Sequence, residues 1–199
     1  MSHPWQSDPW EWAILHRGIS FWSEFDTQVY LIGNPLVWWG ALVTLLTYII
    51  IIVLDEEERT SDDGTPFFFS FQRTQLFCFF FHFFLGLLAK GRFFLVAWVF
   101  HYLPFFTMER CLFLHHYFAA FIFSVLISAL VLDRVQQQTG PKWVFQAIVA
   151  VLIVVAMGLF VFFAPLTYGL PLTANELAMR QWFPAWDYAR ITPRPIAAA

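Results

Sequence analysis

Trp98-Val99-Phe100-His101-Tyr102-Leu103-Pro104-Phe105-Phe106-Thr107-Met108-Glu109-Arg110-Cys111-Leu112-Phe113-Leu114-His115-His116-Tyr117 is the stretch whose reading decides the fold. Apolar residues lead up to it and away from it for long enough to lie in lipid. Between them the chain places Glu109, Arg110 and three of its six histidines. Polar groups cost most where water is absent, so a polar cluster between two apolar helices marks a membrane boundary and a candidate site.

Composition agrees with that reading. The 199 residues are 59% hydrophobic, 21% aromatic and only 13% charged, too little polar surface for a soluble domain of this length. The fold class is therefore all-α, a polytopic membrane protein. The net charge of -3, with no block of Lys and Arg, argues against nucleic acid as a partner. Cys78 and Cys111 sit on apolar stretches without CxxC spacing and read as packed thiols. Met1 to Trp12 carries Trp, Pro and His in place of a basic end and a Leu-rich core, so it does not read as a cleaved signal peptide.

Four spans are expected, at about 33–54, 84–106, 112–132 and 143–165, and five is the competing count. Asn34-Pro35 opens the first, because Asn caps a helix and Pro suits its first turn. Asp55-Glu56-Glu57-Glu58-Arg59 closes it, and 55–65 reads as a solvated loop. Residues 66–88, rich in Phe, fit a short span, a re-entrant hairpin or an interfacial helix. Asp133-Arg134 and the turn around Gly140-Pro141 separate the last two spans. Residues 1–32 and the tail 166–199 interleave Trp and Tyr with charges, the composition of an interfacial layer. Residues 193–199 read as disordered. With four spans the Arg and Lys bias places 55–65 and 133–142 in the cytoplasm, so both termini and the 107–111 turn face the lumen or exterior.

Taken in order, several motifs carry a resemblance. They are His3-Pro4-Trp5, Arg17-Gly18-Ile19-Ser20-Phe21-Trp22, Gly33-Asn34-Pro35 with Trp38-Trp39, His101 to Phe106, Glu109-Arg110, and Leu112 to Tyr117. In this set the chain resembles the C-terminal four-transmembrane domain of the eukaryotic protein O-mannosyltransferases, from about His3 to the last span. The resemblance implies part of an integral-membrane glycosyltransferase of the GT-C type in the endoplasmic reticulum membrane, working as a dimer with a family member. It implies transfer of mannose from dolichyl phosphate mannose to Ser or Thr of secretory polypeptides, with no cofactor. The family's preceding helical region, with its lumenal Asp-Glu loop, and its β-trefoil domain have no counterpart here. The chain thus reads as a fragment inactive without that half, or alternatively as a non-catalytic assembly or regulatory module. After His115-His116-Tyr117 the family continues Leu-Pro-Ala, whereas this chain has Phe118-Ala119-Ala120, which leaves the helix straighter. The Phe-rich stretch around Phe79 is more apolar than the family's loop.

Glycosyl transfer from a phosphate-linked donor needs a base for the attacking hydroxyl and positive charge or N–H donors for the leaving phosphate. Arg110 precedes the span beginning at Leu112, so its guanidinium and the N–H groups of that helix's first turn point to one anion. The donor-phosphate candidates are Arg110, His115, His116, Tyr117, His101 and Tyr102, with His101 and Tyr102 reaching in from the preceding helix. The plain alternative is an Arg110 to Glu109 or lipid-headgroup contact that anchors the turn. Adjacent His115 and His116 point about 100° apart on a helix and do not share a metal, so none is expected. Glu109 beside Arg110 is held ionised, which suits neither a general acid nor a demonstrated base, and the catalytic residues are not assignable.

Overall fold

The computed structural model describes residues 3–63, 91–138 and 140–189. Among the described residues three helices are long and apolar enough to cross a membrane, with spans Pro35–Leu54, Leu114–Gln137 and Lys142–Tyr168. A shorter apolar element, Arg92–Thr107, joins them. The expected second span, 84–106, is described only from residue 91 onward. The readings of 66–90, of Cys78 and of 193–199 lie outside the described residues.

The chain begins with a short helix, α1 (Pro9–Ala13). Asp8 precedes it, Pro9 fills its first position, and Glu11 Oε2 accepts the Asp8 N–H at 2.7 Å, so the local sequence starts the helix by itself. A hairpin follows, of strands β1 (Ile19–Glu24) and β2 (Thr27–Leu31), pairing Ile19 with Leu31 and Glu24 with Thr27. Thr, Val and Tyr suit the pleated surface, and Gln28 and Tyr30 point inward. Neither element belongs to an all-helical reading. Residues 3–32 pack a folded cap in which Trp12 and Tyr30 are fully buried while Phe21, Trp22 and Phe25 stay exposed.

Helix α2 runs Pro35–Asp63. Asn34 Oδ1 accepts the Val37 N–H, and its amide Nδ2 donates to the Ala156 carbonyl at 2.8 Å, tying this helix to the last long one. The helix continues nine residues past the apolar run, through what the charge run marked as a loop. Glu and Arg are good helix formers, and no breaker stands before Gly64, so the polarity ends the span without ending the helix. Helix α3 (Arg92–Tyr102) leads into a 3-10 turn, Leu103–Thr107, then an extended segment and a second 3-10 turn, Leu114–Tyr117. Helix α4 (Phe118–Gln138) and helix α5 (Lys142–Tyr168) follow. Pro165 lies inside α5. Its lost N–H is tolerable near a helix end, where the Pro165 carbonyl accepts from Leu170 N and the Gly169 N–H at the left-handed C-cap. Helix α6 (Ala174–Arg180) closes the described chain, capped by Thr173 and Glu176.

One aromatic core joins the cap to the membrane helices: Trp12, Tyr30, Trp38, Tyr102, Tyr117, Phe163 and Trp186 are its largest members. Three indoles from distant segments converge on the end of α1. Trp38 Nε1 donates to Trp12 O at 2.7 Å, Trp39 Nε1 to Ile14 O at 2.9 Å, and Trp186 Nε1 to Leu15 O at 3.0 Å. These carbonyls lie at the helix end, where Trp12 O also takes the Leu15 N–H at 3.1 Å, and Leu15 has swung to a φ of 55°. Burying one such ring removes roughly 150–250 Å² from water, on the order of 4–6 kcal/mol before entropy. The clamp thereby fixes the end of α1 against α2 and the C-terminal tail. Gly33 is required where the chain enters α2, since any Cβ there would overlap the Trp38 ring.

Candidate functional site

The polar turn lies against the N-terminal segment. Ser7 N donates to Leu112 O at 2.9 Å, Tyr102 Oη donates to Pro9 O at 2.8 Å, and Trp12 stacks on His116 with centroids 6.0 Å apart. Between the two segments opens a cleft of about 510 Å³, walled by residues 6–10 on one side and by Phe105, Phe106 and 108–112 on the other. The ionisable groups of its lining are Asp8, Glu109, Arg110 and the Cys111 thiol. Arg110 and Glu109 are both exposed there.

The remaining candidates divide into three places. Tyr102 and Tyr117 are buried edge to face, 5.0 Å apart, beneath the cleft, where Tyr117 Oη accepts from Trp98 Nε1 at 3.2 Å. His115 and His116 stack on each other at 4.4 Å and lie between Phe113 and Trp12. Leu114–Tyr117 is a 3-10 turn, where adjacent residues stand about 120° apart in place of 100°, so the two rings stack because their side chains turn towards each other. His115 is exposed, and the His116 ring is fixed by its Nδ1, 3.1 Å from Phe113 N and 2.9 Å from Phe113 O. His101 points elsewhere, with Nδ1 at 2.7 Å from Ala97 O and its ring against Phe123. His101 and Arg110 are thus not brought together. Nor does Arg110 sit directly before a helix: the helical chain begins at Leu114, and the Phe113 N–H is taken by His116. Among the described residues no group of three or more His, Cys, Asp or Glu is arranged to hold a metal ion.

Sequence reasoning missed the opposite wall, Gln6 to Trp10. A signal was present, since Asp8-Pro9-Trp10-Glu11 is a helix-start pattern and marks this segment as folded. Away from the cleft, burial pushes the Tyr30 hydroxyl up to about 12 despite the Gly18 N–H donated to it, and burial also raises Tyr188, with Tyr30 adding to the effect. Both tyrosines are neutral packing groups of the cap, in contact with each other at 4.8 Å.

Comparison with known proteins supplies the rest. The family described as the C-terminal four TMM region of protein-O-mannosyltransferase matches residues 1–186. Dolichyl-phosphate-mannose--protein mannosyltransferase 1 of Candida albicans is 32% identical over 191 residues, covering 94% of this chain and 20% of the relative. The Saccharomyces cerevisiae protein of the same name is 32% identical over 188 residues, covering 94% of this chain and 21% of the relative. The chain therefore spans about one fifth of the length of these relatives. Among solved structures, the S. cerevisiae protein O-mannosyltransferase Pmt1-Pmt2 complex bound to the sugar donor matches with a TM-score of 0.76 at 27% identity, over 96% of this chain and 25% of that one. The expected family is the one found, and with it the architecture of a polytopic membrane protein. This chain belongs to the protein O-mannosyltransferase family, corresponding to its C-terminal four-transmembrane region.

Proposed function

We propose that this chain is the C-terminal membrane part of an enzyme of the endoplasmic reticulum membrane that transfers mannose from dolichyl phosphate mannose to Ser or Thr of secretory polypeptides. It acts when joined to the N-terminal half that its relatives possess, and it pairs with a second family member, as the Pmt1-Pmt2 neighbour does. The 107–111 turn faces the lumen. In this reading Arg110 meets the donor phosphate, with His115, His116 and Tyr117 shaping the floor behind it and Tyr102 holding the N-terminal wall through Pro9. His101 takes no part, since its ring lies against Phe123.

The observation that carries the site is the exposed Arg110 guanidinium in the lining of an open cleft at the polar turn. Guanidinium matches phosphate bidentately and keeps its charge at any cellular pH. Charge reversal, Arg110→Glu, is expected to raise the KM for dolichyl phosphate mannose in the reassembled enzyme while leaving the melting temperature of this chain unchanged. An unaltered KM would remove Arg110 from donor binding and leave it as an anchor of the turn.

A further inference from the structure

The β-hairpin stands beside the last turns of α5. Asn34 Nδ2 donates to Ala156 O, so the start of α2 is level with Ala156. From there α5 runs on to Tyr168, about 18 Å further at about 1.5 Å per residue. The stretch from Gln28 to Asn34 covers a comparable length, about 20 Å at about 3.3 Å per extended residue. Its far end meets the far end of the helix: Val29 Cγ2 lies 3.2 Å from where a Cβ on Gly169 would stand, and Asp26 O accepts from Leu172 N at 2.9 Å. A hydrocarbon core of about 30 Å takes about 20 helical residues, so counted from the interfacial ring of Trp143 it ends near Phe163. The hairpin tip, level with residues 168–172, therefore stands at the depth of the headgroups.

Its side chains suit that depth. Opposed residues of an antiparallel pair share a face, so Trp22, opposite Val29, lies on the face that packs beside Gly169. Phe21, Trp22 and Phe25 are 61%, 46% and 41% exposed, and α5 leads up to them with Met157, Phe160, Val161 and Tyr168 exposed as well. The lipid-facing surface of the span thus continues onto the hairpin. We propose that Phe21, Trp22 and Phe25 seat the hairpin in the headgroup layer on the side of the polar turn, against zwitterionic phospholipid. Residues 19–31 hold Glu24 and Asp26 and no Lys, Arg or His, so nothing on the hairpin draws it to anionic headgroups. The gain comes instead from burying aromatic bodies while the indole N–H stays within reach of polar groups. At the lower end of the hairpin Ile19 and Ile32 are buried, and β1 becomes exposed from Phe21 onward, where water reaches main-chain N–H and C=O groups. The inference rests on the membrane spans alone and holds whether or not Arg110 meets a phosphate.

The test is tryptophan fluorescence of the full chain in phosphatidylcholine nanodiscs, with the acyl chains brominated either close to the headgroup or close to their tips. The Trp22 component is the parent spectrum minus that of Trp22→Phe, and Trp143, exposed at the start of α5, supplies the control component through Trp143→Phe. Quenching of the Trp22 component is expected, stronger with the shallow bromines than with the deep ones. It should be unchanged when part of the lipid is phosphatidylglycerol and retained when the N-terminal half of a relative is added. Should Trp22→Phe not fold, Phe21→Trp adds an emitter read in the same way. The proposal is overturned by a Trp22 component that neither lipid quenches while Trp143 is quenched, by stronger quenching from the deep bromines, or by quenching that requires anionic lipid. Loss of quenching beside the N-terminal half also overturns it, since the hairpin face then belongs to a protein partner.

Discussion

Arg180→Met is expected to release the C-terminal tail from the membrane helices without unfolding them. Arg180 is only 8% exposed, and its Nε donates to Phe162 O on α5 at 2.7 Å while Nη1 donates to Glu176 O at 2.7 Å. Its guanidinium also lies 4.6 Å from the centre of the Phe162 ring. Met keeps the length and the apolar stem, so the loss is one of hydrogen bonds more than of volume. A hydrogen bond from a charged donor contributes about 1.5–3 kcal/mol, and counting one in full with part of the ring contact gives about 2–3 kcal/mol. Tail opening should become roughly 30- to 150-fold more frequent, because each 1.4 kcal/mol is a factor of ten. The assay is chymotrypsin digestion in nanodiscs, read by mass between residues 169 and 189, under conditions where cleavage follows the open population. Asp187→Asn is the comparison: its pair with Arg17 is 4.0 Å long and exposed, and such pairs contribute within about 0.5 kcal/mol. Cleavage of the Arg180 variant within about threefold of the parent would refute the lock.

Three further outcomes follow from the cap. Tyr30 has its hydroxyl raised to about 12 by burial, so its neutral form is favoured in the fold. That stability is complete below the unfolded value near 10 and is lost as pH climbs towards 12, about 3 kcal/mol in all, and ultraviolet titration of the parent against Tyr30→Phe should show this hydroxyl ionising above a free tyrosine. Trp38→Phe takes the indole donor from the buried Trp12 carbonyl, which keeps only the Leu15 N–H, and should cost about 0.5–1.5 kcal/mol, read as a lowered midpoint in thermal unfolding. Gly169→Ala, at a φ of +63° with its new Cβ 3.2 Å from Val29 Cγ2, should destabilise by about 1–2 kcal/mol in the same measurement, whereas Gly158→Ala meets nothing within 4 Å and should be neutral.

What the sequence disclosed follows from how strongly each feature is written. Pro35–Leu54 and the body of α5 were legible because uncharged runs of that length have few other uses. The limits were less so. The last span was expected to end at Pro165, yet the helix runs on to Tyr168, where Gly169 closes it in a left-handed C-cap. The stretch from Asp55 to Asp63 reads as a loop, yet Glu56 to Arg59 are good helix formers and adding residues to an established helix needs no new nucleus. The hairpin was hidden because aromatic, charged and β-branched residues alternate there in a pattern that also describes an interfacial layer. Tertiary contacts decided it, among them Leu172 N to Asp26 O at 2.9 Å and the Gly18 N–H to Tyr30 Oη at 3.2 Å. Within the site, the neighbourhood of Arg110, Glu109, Tyr102 and Tyr117 was legible from the turn between two apolar runs. The direction of His101 was not, since a single helical residue faces either neighbour depending on packing. The second wall of the cleft came from residues some hundred positions earlier, and no local pattern states that Ser7 pairs with Leu112.

The most direct test is mannosyl transfer in microsomes supplied with dolichyl phosphate mannose and a Ser/Thr peptide, comparing this chain alone with this chain beside the N-terminal half of a relative. Transfer is expected only in the joined sample, and Arg110→Glu should weaken it. Transfer by this chain alone would contradict the division of labour proposed for its residues, and absence of transfer in both samples, with the chain folded and inserted, would contradict its role as part of the enzyme.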